Sequence, residues 1–245
     1  MSNNHFDNAE FFENYKEIRT KAQSYNNLLE QPNMKALLPD LTGKTVLDMG
    51  CGFGFSCVEF RKKCAAKVIG IDISEKMLEA ARSQNTDENL QFLNLDIEKI
   101  DELGIKFDVV YSSLTLHYIV DFKKVVKKVH SVLNNNGVFL FSQEHPLCTA
   151  PLAGPVWIKN EDGIKTAASI ANYLEDGERT VSWMNQKIVK QHRSFSTMIN
   201  SLVENGFAIE KVVEPAPTEE VLELAPDMYD EVHRPTAVIV KVRKM

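Results

Sequence analysis

The chain has 245 residues, 44% of them hydrophobic and 25% charged, with a net charge of −6. These values suit a globular α/β chain rather than a disordered or fibrous one. The acidic balance argues against a protein that grips a phosphate backbone, which needs clustered Lys and Arg. No leader pattern and no apolar run of membrane-spanning length is present, so the expectation is a cytoplasmic protein. The four cysteines (Cys51, Cys57, Cys64, Cys148) form neither a C-x-x-C pair nor a zinc spacing, so reduced, mostly buried thiols and no metal are expected.

Residues 1–40 are polar with periodic aromatics, and helices are predicted at 9–20 and 25–38, together a flap on a domain. Residues 45–49 are short, apolar and β-branched. They run into Gly50, Gly52 and Gly54 before a helical pattern at 55–63, which reads as strand, tight loop, helix. Glycine supplies backbone angles that a Cβ forbids and lets a ligand lie against bare main chain. A second strand at 67–72 ends in Asp72, 22 residues after Gly50, close to the spacing of a carboxylate that accepts from both ribose hydroxyls of a nucleotide cofactor. Ser74 then caps a helix at 75–84.

Strands follow at 90–95 and 107–112, a helix at 122–133 whose lysines form its wet face, and a strand at 137–142 after the turn 134–137. Alternation of this kind gives a parallel sheet with helices on both faces. Ligands in such sheets bind at the carboxyl ends of the strands. Asp48, Asp72, Asp96, Ser112 to His117, and Glu144 with His145 all fall at those ends. The proline-rich stretch 144–157 is expected as a loop, and 178–183 and 186–192 as a hairpin about Met184 and Asn185. A helix at 195–205 and strands at 207–213 and 236–242 close the chain.

The glycine loop, Asp48 followed by three alternating glycines, lacks the third glycine of the dinucleotide fingerprint, where Phe55 stands. It resembles the first motif of the class I S-adenosylmethionine-dependent methyltransferases. GIDIS at 70–74, NLDIEKI at 94–100, FDVVYSSLTLHYIVD at 107–121 and LNNNGVFLFS at 133–142 resemble the later motifs of that family, in order and in spacing. The resemblance implies a Rossmann-like, doubly wound seven-stranded sheet, mostly parallel with an antiparallel last strand, in one domain. That domain comprises the flap 1–40, a cofactor-binding core 41–145, a lid or substrate insertion 146–193 after the fifth strand, and the rest of the sheet at 194–245.

The same resemblance implies S-adenosylmethionine as cofactor. Gly50, Cys51, Gly52 and Gly54 would form its loop beside Asp48, with the main chain of the first three at the methionine moiety. Asp72 would meet the ribose and Ile73 and Met77 the adenine. Asp96 and the Ile97 N–H would meet the adenine edge, and Ser112 the methionine. Tyr15 and Arg19 from the flap are expected at the methionine end, with Tyr25, Glu144, His192 and Arg193 in the substrate pocket. His145 and then His117 are the candidates for a general base. The methyl acceptor is expected to be a small or lipid-like molecule and not nucleic acid, since the N-P-P-Y type tetrapeptide is absent after the fourth strand, where SSLTLHY stands. Two alternatives stay open: a cofactor-binding regulator without catalysis, and a nicotinamide-dependent oxidoreductase.

Overall fold

The structure, a computed structural model, describes residues 5–152, 154, 156–184 and 186–245. The first four residues of the expected flap, Ala153 and Pro155 of the expected loop, and Asn185 of the expected hairpin turn lie outside the described residues.

Five strands, β1 (Thr45–Met49), β2 (Lys67–Asp72), β3 (Leu90–Asn94), β4 (Phe107–Ser112) and β5 (Leu133–Glu144), pair in parallel. The insertion supplies β6 (Val156–Lys159), β7 (Lys165–Ser169), β8 (Gly177–Trp183) and β9 (Gln186–His192), and the chain closes with β10 (Phe207–Val213) and β11 (Ala237–Lys244). The seven-stranded sheet has the order β10-β11-β5-β4-β1-β2-β3, with β11 antiparallel to both of its neighbours. This is the mostly parallel, Rossmann-like sheet that the motif order implies.

Consecutive residues of each strand point to opposite faces, so an apolar run feeds two cores at once. Leu47, Val110, Phe139 and Val240 meet Val125, Val129, Met198 and Leu202 on one face. Val46, Val109, Val138 and Ile239 meet Met34, Cys57, Phe60 and Leu78 on the other. Each such side chain contributes about 1.5–3 kcal/mol on burial.

The helices are α1 (Ala9–Thr20), α2 (Gln31–Leu37), α3 (Phe55–Lys62), α4 (Glu75–Ser83), α5 (Phe122–Val132), α6 (Pro146–Thr149), α7 (Phe195–Glu204), α8 (Glu219–Leu224) and α9 (Asp230–His233). Side-chain caps start several of them. Ser74 accepts from the Met77 N–H, Asp121 from Lys124 and Ser194 from Thr197. No helix among the described residues is long and apolar enough to cross a membrane.

Several stretches differ from the reading above. The helix expected at 25–38 begins as a π turn, Asn26–Glu30, with the Gln31 N–H reaching back to the Asn26 carbonyl. The turn turns Glu30 inward, where its carboxylate accepts from Ser113, Ser142, Asn26 and Gln31 at 2.5–2.8 Å. The turn expected at 134–137 is the irregular start of β5, with Asn136 at φ 61°. The expected loop 144–157 contains α6, capped by the His145 ring and opened by Pro146 at its first position. A short hairpin β6–β7 and the helices α8 and α9 also form where no element is expected. The β8–β9 hairpin forms as predicted, and Arg179 fastens it by donating to the carbonyls of Ala150, Glu178, Asn172 and Glu175.

Candidate active site

Strand order reverses between β1 and β4, and a cavity of about 570 Å³ opens at their carboxyl ends. Its floor is the glycine loop after β1. Gly50 has φ 73°, and a Cβ there would overlap the Thr115 side chain of the loop after β4. Gly54, at φ 74°, starts α3 and lies off the cavity, packed against the Phe92 ring with no room for a side chain. The N–H groups of Gly50 and Cys51 both donate to the Ile71 carbonyl, and that of Gly52 to the Asp72 carboxylate at 2.9 Å. The amides of Gly50, Cys51 and Gly52 are thus spent on the end of β2, and the three residues line the cavity with little side chain between backbone and ligand.

The wall on the β2 and β3 side is acidic and apolar by turns. Asp72 holds its two oxygens on the N–H groups of Gly52 and Ser74, and burial pushes its carboxyl above the ordinary range. Asp48 is buried more deeply and its carboxyl is pushed up to about 7, burial being the main cause, with the Cys57 thiol donating to it at 3.3 Å. Ile73, Met77 and Ile97 form a slot between Asp72 and Asp96, and Asp96 caps the short helical turn Ile97–Leu103. Cys51 also faces the cavity, with its thiol pushed up to about 11 by burial, so it is no thiolate nucleophile.

The other wall comes from segments far apart in the chain. Tyr15 and Arg19 reach the cavity from α1, beside Phe6 and Phe11. Tyr118 faces it from the turn Leu116–Tyr118 after β4, and Ile188 and Gln191 face it from β9. Trp183 backs this wall, with its ring edge-on to Phe11 at 5.5 Å and to Tyr15 at 6.0 Å between centroids.

The remaining expected residues are not brought to the cavity. Ser112 is fully buried in β4 and donates to the Met49 carbonyl, while its neighbours Ser113, Leu114 and Thr115 line the site. His145 has both ring nitrogens engaged, one by the Leu147 N–H and one by Glu214 at 2.8 Å. His117 lies buried under the loop, accepts from the Glu144 N–H, and is held to about 4 by desolvation. His192 is spent on Thr149 and the Tyr173 carbonyl. Glu144 pairs with Lys190. Arg193 donates to the carbonyls of Leu116 and Ile119, on either side of Tyr118, and its guanidinium lies 4.9 Å from the Phe122 ring. Tyr25 is half-buried elsewhere, with its buried hydroxyl at the Ala237 N–H and near Glu231.

Sequence reasoning missed Tyr118, Ile188 and Gln191, and placed Thr115 at the end of the fourth strand without giving it a role. Thr115 carries a signal only in three dimensions, through its contact with Gly50. Tyr118 directly follows a histidine that drew the attention.

A buried carboxylate at the end of β2, an apolar slot ending in a second acid, and a glycine loop that leaves bare backbone at the cavity suit a nucleoside-type cofactor. Sheet order and cavity together define a class I S-adenosylmethionine-dependent methyltransferase. The chain belongs to the methyltransferase-domain family, whose model matches residues 40–197. It is 37% identical over 250 residues to an uncharacterized protein of Haemophilus influenzae, covering 98% of this chain and 96% of that one. A solved candidate S-adenosylmethionine-dependent methyltransferase from Listeria monocytogenes is 39% identical, with a TM-score of 0.81 over 88% of this chain and 96% of that one. An S-adenosylmethionine-dependent methyltransferase from Mesorhizobium loti is 35% identical, with a TM-score of 0.82 over 93% of this chain and 100% of that one. Partial matches include the malonyl-[acyl-carrier protein] O-methyltransferase of Acetivibrio thermocellus, at 33% identity over 139 residues and 46% of that protein. A ubiquinone biosynthesis O-methyltransferase of Neisseria meningitidis matches over 107 residues, and a tRNA U34 carboxymethyltransferase of Pseudoalteromonas translucida over 81.

Proposed function

We propose that this enzyme methylates a small molecule that enters against the aromatic wall, by direct in-line displacement. The cofactor, when bound, supplies a methyl group already activated on a sulfonium. Asp72 accepts from the ribose hydroxyls and Asp96 from the exocyclic amine of the base, with the Ile97 N–H at the ring edge and Ile73 and Met77 on its faces. The loop carbonyls and Arg19 take the amino and carboxylate ends of the methionine part. Asp48, poised near neutrality, favours a cationic neighbour whenever it is ionised.

One observation carries the acceptor side: among the described residues no histidine or lysine lines the cavity, whereas Phe6, Phe11, Tyr15, Tyr118 and Ile188 do. Burial holds the phenols of Tyr15 and Tyr118 above their ordinary range, which makes them poor bases and good neutral walls. The protein's contribution is then alignment and exclusion of water, which in well-oriented systems amounts to roughly 7–11 kcal/mol. The acceptor then brings a nucleophile already ionised or unprotonated near neutral pH, or else hands its proton to Glu178, a carboxylate from β8 that lines the cavity. A narrow aromatic wall on an acidic protein supports a small acceptor over a polynucleotide.

The test is calorimetric titration with S-adenosylhomocysteine and with NAD, then methyl transfer from labelled S-adenosylmethionine to panels of small carboxylates, phenols and amines and to bulk tRNA. Binding of S-adenosylhomocysteine alone and transfer to a member of the small-molecule panels is expected. Transfer to tRNA alone would overturn the acceptor reading.

A further inference from the structure

One strand beyond β5, at the same carboxyl edge of the sheet, lies a cation that the cavity does not use. Arg234 precedes β11 and is only 7% exposed, and its Nε and Nη1 are buried without a hydrogen-bond partner. The carboxylates nearest to it are committed elsewhere. Glu231 accepts from the N–H and hydroxyl of Thr236, both at 2.6 Å, and Glu144 pairs with Lys190. Among the described residues no carboxylate forms an ion pair with Arg234. What it does touch is the Trp157 ring, at 4.4 Å from the centroid, with Lys165 over the same ring at 4.8 Å.

Glu144 and Glu231 lie near enough to feel its charge but give it no hydrogen bond, so two buried N–H groups stay without an acceptor, which a single ring contact does not replace. A second donor comes from the same end of the sheet: the buried Tyr25 hydroxyl meets the Ala237 N–H but finds no acceptor for its own proton, and burial together with Glu231 keeps it protonated. Two donors from separate segments thus lack an acceptor at one end of the sheet. Native proteins leave few such groups, and a ligand is one resolution.

We propose that Arg234, with Tyr25, receives an anionic oxygen group of the methyl acceptor, a carboxylate or a phosphate, beneath Trp157. The proposal rests on the acceptor reading above and supplies its missing polar anchor. Glu144 lies across from Ala237 at the start of β11, and Lys190 runs from Glu144 to the Trp183 ring that backs the aromatic wall. Glu144 and Lys190 thus link the start of β11 to the ring behind the aromatic wall. The cover is the β6–β7 hairpin, whose Val156, Ile158 and Ile164 face solvent. Trp157 and the Lys165–Asp230 pair hold it down, so lifting it costs few buried contacts.

The experiment follows Trp157 emission in a Trp183→Phe background, where it is the remaining indole, with the cavity first saturated with S-adenosylhomocysteine. Benzoate, inorganic phosphate and benzamide are titrated at constant ionic strength. A saturable change with benzoate or phosphate and none with benzamide is expected, and whichever anion binds tighter identifies the group. Arg234→Gln should weaken that response at least tenfold while S-adenosylhomocysteine binding is retained. Equal responses to benzoate and benzamide, or a full response in Arg234→Gln, would overturn the site. Should that variant not fold, the thermal midpoint of the native sequence with benzoate against benzamide decides the same question. A missing response with S-adenosylhomocysteine still bound removes only the anion site. A response that persists in a protein that does not bind S-adenosylhomocysteine removes only the cofactor reading.

Discussion

The two walls of the cavity are built on different principles. The wall proposed for the cofactor is local: Asp48, the glycine loop and Asp72 lie within 25 residues, and strand ends and turn geometry place them directly. The wall proposed for the acceptor is assembled from α1, the turn after β4 and the β8–β9 hairpin, which meet only through tertiary packing. A wall of the first kind is hard to change without losing the ligand. A wall of the second kind can be altered piecewise, because each segment is supported by its own contacts.

Substitutions should break along that line. The largest effect is expected from Gly50→Ala, where a left-handed backbone and the Thr115 side chain both oppose a methyl group. The combined strain should cost roughly 2–4 kcal/mol of stability and abolish measurable cofactor binding, as read by thermal unfolding and calorimetry. Next comes Asp72→Asn, which should weaken S-adenosylhomocysteine binding by about 1.5–3 kcal/mol, the scale of hydrogen bonds to a charged group, with little change in the unfolding midpoint. On the other wall, Trp183→Ala removes the edge contacts to Phe11 and Tyr15. It should raise the acceptor KM by about tenfold, the equivalent of one aromatic contact of roughly 1.4 kcal/mol, while the cofactor affinity measured by calorimetry stays within twofold. The smallest effect is expected from His145→Ala. It removes the cap of α6 and should cost about 1 kcal/mol in denaturant unfolding, with turnover per folded molecule unchanged. A large loss of turnover there, with stability intact, would place the ring in the chemistry after all.

The same division explains what could be read beforehand. Glycines that need positive φ, a carboxylate at a strand end and a serine cap are set by local geometry, and each stands where the spacing placed it. The histidines show the opposite case. Sequence places His145 and His117 at strand ends, but the partners that engage them, Glu214 for one and Glu144 for the other, are remote or depend on a ring's direction. In the short helical turn after β4, successive side chains point about a third of a revolution apart, so His117 goes under the loop while Tyr118 enters the cavity. Spacing alone does not rank two such neighbours. The π turn was likewise invisible, because Glu30 is drawn inward by Ser113 and Ser142, more than 80 residues away.

Arg193 adds a consequence for how such enzymes diversify. Its guanidinium stitches the end of the β8–β9 hairpin to the carbonyls that bracket Tyr118, so two stretches over 70 residues apart behave as a single cassette. A graft of the hairpin alone from a relative of different selectivity strands those carbonyls and tilts Tyr118. A graft of both pieces carries the stitch with it, so in this chain the hairpin and the turn that bears Tyr118 should be exchanged together.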